Sequence, residues 1–418
     1  MRTQICSARV PGNCWRGLAI LAGLAALTGC GGNGGGSSSN LTGTTTPPPV
    51  NNTQVIQVNL GPNNNVPNGL YTSLQICAPG STTQCQTITD IEVDTGSEGL
   101  RILNSALTIS LPAITDASNN TLGECVTFAD NSFVWGPVVT ADLQMAGEKA
   151  SSVPIQIIGA SGFPAVPSAC NATGTADNTV ATLGANGIIG IGTFRQDCGS
   201  ACSGSVSTVP PVYFVCPSSG CLAASVPLLT QLQNPVWLFP QDNNGVLISL
   251  PAIPDAGAAS ATGSMIFGIG TQSDNALGTA QVYTTDSQGN FTTTYNGTSY
   301  SQSFIDSGSN GMFFLDAATL ASAGILECVG NNAGFYCPAI TVSITATNRG
   351  SNNTSAPVTF KIANADTLFL SPNSAFNDLG GDNTGSFDYG LPFFFGRNVF
   401  TGIEGQNSPG GQGPYWAY

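Results

Sequence analysis

Hydrophobic and polar residues alternate along most of this chain, the period of strands with one buried face and not of helices. Gln54–Leu60 alternates, and Gly69–Ile76 alternates again ahead of a loop that begins at Asp94. Val134–Met145 predicts the arm of a long hairpin. Tyr295-Asn296-Gly297-Thr298 sets Asn-Gly between two strand-like runs, the signature of a two-residue hairpin turn. The second of those runs leads into Asp306. Helical patterns are few and short, over 227–232 and 316–323, and the latter directly follows the Asp306 loop. The expected class is all-β.

Two of the predicted strands end in the same way. Ile91–Ser97 and Ser303–Ser309 each run into an aspartate, a hydroxyl residue, a glycine and a serine, and the two aspartates lie 212 residues apart. The likeness continues from Asp94 to Leu103 and from Asp306 to Leu315, with Asp, Gly, Ser, Gly and Leu identical in register. Each copy is followed at a similar distance by an apolar pair running into glycine, Gly190 in the first half and Gly396 in the second. A single Asp-x-Gly is an ordinary turn string. Two in register, each with a downstream partner, read as an internal repeat and hence as two lobes. Carboxylates delivered by matching loops can share one proton, because like charges a few ångströms apart do not both ionise easily. Such a pair can activate water with no metal or cofactor.

Composition narrows the chemistry further. The 418 residues include no histidine, which excludes Ser-His-Asp and Cys-His catalysis and histidine metal sites. Nine basic residues stand against 23 acidic ones, a formal charge of −14, so nucleic acid is not an expected partner. The chain holds no Gly-x-Gly-x-x-Gly, Walker A or Cys-x-x-Cys string. Asp378, Asp382 and Asp388 lie in a Gly-rich stretch, but their spacing matches no calcium loop, and they read as solvated turn acids.

The N-terminus reads as an address. Arg2, Arg9 and Arg16 precede a short apolar run, Gly17–Leu27, and Leu27-Thr28-Gly29-Cys30 resembles a bacterial lipobox. Residues 1–29 would then be a signal peptide, with Cys30 lipidated as the mature N-terminus. Gly31 in place of aspartate implies the outer membrane, on either face. Residues 30–53 form a Gly/Ser/Thr/Pro tether with too little apolar mass to fold. Ten cysteines remain, an even number for an oxidising compartment. Spacing suggests Cys77–Cys85, Cys198–Cys202, Cys216–Cys221 and Cys328–Cys337, which leaves Cys125–Cys170.

From about Val55 onward the chain resembles the pepsin-like aspartic proteases, in a bacterial lipoprotein form of uncharacterised function. The two aspartate loops carry the likeness, with Gly69-Leu70-Tyr71, the string Asn186–Gly192 and the strand Gly263–Gly268. The resemblance implies a bilobed fold, two β-barrel-like lobes with a cleft between them. It places an N-terminal lobe over 54–272 and a C-terminal lobe over 273–418, with an insertion around Cys198–Cys221. By the same likeness Asp94 and Asp306 flank one catalytic water. Gly96 and Gly308 let backbone N–H groups approach the carboxylates, and Thr95 and Ser307 lock the loops across the interface. Ser97 and Ser309 bond the outer carboxylate oxygens, while Gly190 and Gly396 lie beneath the loops.

The flap of that family departs from its pattern here. Arg101 stands where the family has tryptophan, and the tip region Val126–Phe133 lacks the partnering tyrosine. Phe128, Phe133 or Trp135 could supply an apolar lid. Glu98 is expected to face solvent, and no basic pro-segment precedes the body. The implied activity is an endopeptidase with a peptide or protein substrate, without cofactor or metal, monomeric and membrane-attached through Cys30. The alternative is an inactive relative that binds protein or glycan in its cleft. A carboxylate-pair glycosidase would leave the Thr/Ser-Gly-Ser surround unexplained.

Overall fold

The structure, a computed structural model, describes residues 51–170 and 174–418. The expected signal peptide, Cys30 and the tether up to residue 50 lie outside the described residues.

The fold is all-β, and each half of the chain carries its aspartate loop between strands of its own. Eight strands position the site: β1 (Cys85–Asp94), β2 (Glu98–Leu103), β3 (Thr121–Thr127), β4 (Phe133–Met145), β5 (Gly187–Ile191), β6 (Thr298–Ile305), β7 (Met312–Leu315) and β8 (Asn383–Tyr389). One 15-stranded sheet starts from the short strands at 222–223 and 213–216. It passes through β3, β4, Glu148–Ile158, β2, β5 and β1, and continues into the strands at 69–77, 53–59, 261–267 and 245–249. It closes on strands from the far end of the chain, at 398–402, 415–417 and 282–284. A second, seven-stranded sheet holds β6, β8 and β7 with the strands at 355–362, 342–349, 291–295 and 380–381.

The alternating runs form strands because one face meets a core. The residues of the core include Ile56, Val58, Leu74 and Ile76 in the first half and Phe314, Phe360 and Phe387 in the second. The strand expected over 69–76 spans Gly69–Cys77, and the long hairpin arm spans Phe133–Met145. At the Asn-Gly turn, Asn296 and Gly297 both take positive φ, +48° and +80°, the backbone that a two-residue hairpin needs. Of the helical patterns, the one after the Asp306 loop forms a short α-helix, Ala317–Leu320, which the Asp316 side chain caps by accepting from Thr319 N–H. The pattern over 227–232 gives only a 3₁₀ turn, Leu228–Thr230. All five expected disulfides are formed: Cys77–Cys85, Cys125–Cys170, Cys198–Cys202, Cys216–Cys221 and Cys328–Cys337.

Candidate functional site

Each half threads one strand between the two arms of its aspartate loop. In the first half β5 runs parallel to β1, with Asp94 opposite Gly190, and antiparallel to β2, with Gly99 opposite Gly190. In the second half β8 runs parallel to β6 and antiparallel to β7 in the same manner. Gly190 has no room for a side chain, since a Cβ there would lie 2.5 Å from Glu98 N.

Gly396 does not hold the matching place. It takes a left-handed turn at φ +73°, and a Cβ there would meet Ala252. The parallel register, Phe304 with Asp388 and Ile305 with Tyr389, brings Gly390 beside Asp306. A Cβ on Gly390 would lie 2.0 Å from Gly311 O and 2.6 Å from Ser309 O. Gly390 is therefore the mate of Gly190, a residue that sequence reasoning missed.

The loops bring Asp94 and Asp306 together. Both are buried, at 2% and 0% exposure. Gly96 N–H donates to Asp94 Oδ1 at 2.7 Å, and Gly308 N–H donates to Asp306 Oδ1 at 2.8 Å. Ser97 Oγ donates to Asp94 Oδ2, and Ser309 Oγ lies 2.9 Å from Asp306 Oδ2. Each carboxyl sits over the other loop's glycine. A Cβ on Gly96 would come within 2.6 Å of Asp306 Cγ, and one on Gly308 within 3.0 Å of Asp94 Cγ. Burial first, then the charge of Asp306 and a hydrogen bond to it, hold the Asp94 carboxyl well above the usual range, while Ser97 pulls it down. Glu92, two residues earlier on β1, pushes it up as well.

Thr95 and Ser307 tie the loops to one another reciprocally. Ser307 N–H donates to Thr95 Oγ1 at 2.9 Å, and Thr95 N–H donates to Ser307 Oγ at 3.2 Å. The two hydroxyls donate in turn to the opposite strands, Thr95 to Ile305 O at 3.2 Å and Ser307 to Val93 O at 2.7 Å.

Glu98 does not face solvent. It is buried, and its Oε1 accepts from Phe194 N–H at 3.0 Å. Of the three acids expected as solvated turn residues, Asp378 and Asp388 are buried, and Asp382 is half-buried and still reaches solvent. Burial, with repulsion from Asp255, raises the Asp378 carboxyl to about 6. Asp388 turns to Ser309, its Oδ2 lying 2.6 Å from Ser309 Oγ, directly behind the dyad.

The β3–β4 hairpin carries the tip region Val126–Phe133. Its turn residue Asp130 lines a cavity of about 280 Å³ together with Val66, Glu92 and Thr182 of the first half and Gly308 and Asn310 of the second. Arg101, at the tryptophan position, is fully buried and pairs with Glu124 of β3 at 2.6 Å and with Asp197 at 3.3 Å. Its Nη1 donates to Glu98 O, and Tyr213 Oη donates to Asp197 Oδ1 at 2.7 Å. Burial would lower the Arg101 pKa, but Glu124 and Asp197 outweigh it and hold it above its ordinary value. Burial and Glu124 keep the Asp197 carboxyl well above the usual range. The segment 197–216 supplies both Asp197 and the strand Tyr213–Cys216, which pairs with the outer edge of β3. Cys125, next to Glu124, is bonded to Cys170 on the other face of β3. The aromatic lid candidates pack inward. Phe128 joins Tyr71, Leu103 and Leu183, and Trp135 packs on Phe163 and Phe214 while donating to Pro164 O. Phe133 is buried beside Cys170.

The family model for "Protein of unknown function (DUF3443)" matches residues 48–418. No curated relative matches the chain. Among solved structures, the crystal structure of an aspartic proteinase from Irpex lacteus aligns with 87% of this chain and 96% of that one, at 14% identity and a TM-score of 0.46.

Proposed function

The chain belongs to that family of unknown function, and from this premise we propose that it is an aspartic endopeptidase. One carboxyl of the Asp94–Asp306 pair, ionised, takes a proton from a water held between them, and the oxygen attacks a peptide carbonyl. The other, protonated, gives its proton to the carbonyl oxygen. The tetrahedral diol then collapses as one of its hydroxyls returns a proton to the second aspartate, the C–N bond breaks, and the amine leaves with the proton the first aspartate had taken. The observation that carries this reading is the mutual seating of the two carboxyls. Each lies on the other loop's glycine, and the Thr95–Ser307 lock fixes them there. An extended peptide laid beneath the β3–β4 hairpin would pass the cavity that Glu92 and Gly308 share.

The test is cleavage of an unfolded-protein or peptide-library substrate between pH 3 and 7, with a statine-type transition-state mimic as inhibitor. Activity should be greatest at acid pH, where the pair keeps one proton. Asp94→Asn or Asp306→Asn should lower kcat by a factor on the order of 10²–10⁴ with the fold unchanged. A purified protein that cleaves nothing across that range, and does not bind the mimic, would defeat the proposal.

A second reading, peptide or glycan binding without hydrolysis, draws on the flap, where a buried ion network replaces the expected aromatic pair. It calls for a cellular phenotype indifferent to Asp94→Asn but sensitive to a bulky residue in the cavity. The proposed setting is the outer membrane, through lipid on Cys30; Cys30→Ser should move the protein from the membrane to the soluble fraction.

A further inference from the structure

Ser309 has one hydroxyl proton and lies against two carboxyl groups, 2.9 Å from Asp306 Oδ2 and 2.6 Å from Asp388 Oδ2. Both separations are those of hydrogen bonds with a proton in the gap. A hydroxyl can fill only one of them. The other must be filled by a proton belonging to a carboxyl. This proton is additional to the one between Asp94 and Asp306, whose carboxyls hydrogen-bond each other directly.

We infer that Asp388 is a third member of the site, holding a proton that it donates to Ser309 Oγ while Ser309 donates onward to Asp306 Oδ2. Three carboxyls then carry two protons and one net charge. Asp388 is the better holder because Asp306 already accepts Gly308 N–H, which favours its ionised form. Asp388 is fully buried, paired with Phe304 on β6 and Phe313 on β7, and neither strand carries a lysine or arginine. Asp306, reached through Ser309, and Asp94 behind it are both acidic. Tyr389 beside it turns to Asn348 and Thr293. A charge on Asp388 would meet repulsion from both aspartates.

The first half has no counterpart. Ile188 stands where the second half has Asp388, opposite Glu92 as Asp388 is opposite Phe304. Ser97 therefore keeps its hydroxyl for Asp94. On the other side the hydroxyl has a choice. If Asp388 loses its proton, Ser309 turns to it, and Asp306 loses a donor and gains a negative neighbour. Asp388 is thus a positioning residue that acts through Ser309 on the ionisation of the pair. Its effect on catalysis rests on the proposed peptide hydrolysis; the proton count does not.

Nuclear magnetic resonance of the full chain labelled with ¹³C in aspartate carboxyls, titrated without substrate, reads this directly. Asp388→Asn, whose amide N–H keeps the bond to Ser309, identifies the resonance. It should remain at the protonated position about two pH units above the midpoint of exposed aspartates. A signal that ionises with the exposed aspartates near pH 4 would overturn the inference. Neutron diffraction from a deuterated crystal at pH 5 needs no variant: a deuteron on the Asp388 carboxyl is expected, and its absence there would refute the assignment. Neither measurement depends on cleavage, so an inactive chain can satisfy both and an active protease can fail both.

Discussion

Thr95 is the residue on which the two halves lean most directly. Its hydroxyl accepts Ser307 N–H and donates to Ile305 O, and all three groups are buried. Thr95→Val keeps the shape and leaves both partners unsatisfied, so a loss of about 1–3 kcal/mol is expected in urea unfolding. Ser307→Thr, which copies the other loop, should cost much less. These residues were legible in the sequence because they recur in register 212 positions apart. Others were not. Glu98 looked like a surface charge because nothing local accounts for it; its partner, Phe194 N–H, comes from a loop 96 residues on. The apolar run before Gly396 resembled that before Gly190, but which glycine sits under an aspartate is decided by strand register. That register selects Gly390. Asp388 was read as a turn acid for the same reason, since its charge stands in a Gly-rich stretch and only the pairing of β6 with β8 buries it.

At the scale of elements, the β3–β4 hairpin is tied to its neighbours by a buried ion network. The sequence showed that the aromatic pair of the resembled pattern is missing but not what stands there, because Arg101, Glu124 and Asp197 are brought together only when β2, β3 and the segment 197–216 meet. Arg101→Met leaves buried acids without their cation and should destabilise the protein by about 3–5 kcal/mol. Pairing it with Glu124→Gln should recover a substantial part. Amide hydrogen exchange over 121–137 should quicken in the single variant and slow again in the double one. If exchange there does not change, the hairpin is held by its pairing to Tyr213–Cys216 alone.

For the whole molecule, the all-β class was readable from alternation, and the meeting of the two aspartate loops from the repeat. The 15-stranded sheet was not, since the strand Gly245–Ser249 pairs with Asn398–Gly402, about 150 residues further along, and no local pattern announces that match. The same scale governs response to pH. Glu148 is raised to about 7 by burial and then by the charge of Asp242, and Asp378 to about 6. Both pKa values are above those of the unfolded chain, so their stabilising share is complete below about pH 4 and is lost as pH rises through 6 and 7. Urea midpoints should therefore fall between about pH 4 and 7, by the equivalent of roughly 1–2 kcal/mol for Glu148 after allowance for solvent screening. Glu148→Gln should flatten the upper part of that curve; a wild-type profile already flat there would contradict the shift. One feature of the hairpin reaches beyond stability. Neighbouring residues of β3 are fastened on opposite faces, Glu124 to Arg101 and Cys125 to Cys170, so movement is left to the tip around Asp130. A gate hinged only at its rim cannot swing aside for a folded guest. If polypeptides are what this molecule cuts, they must arrive already unravelled and be threaded through as loose cord.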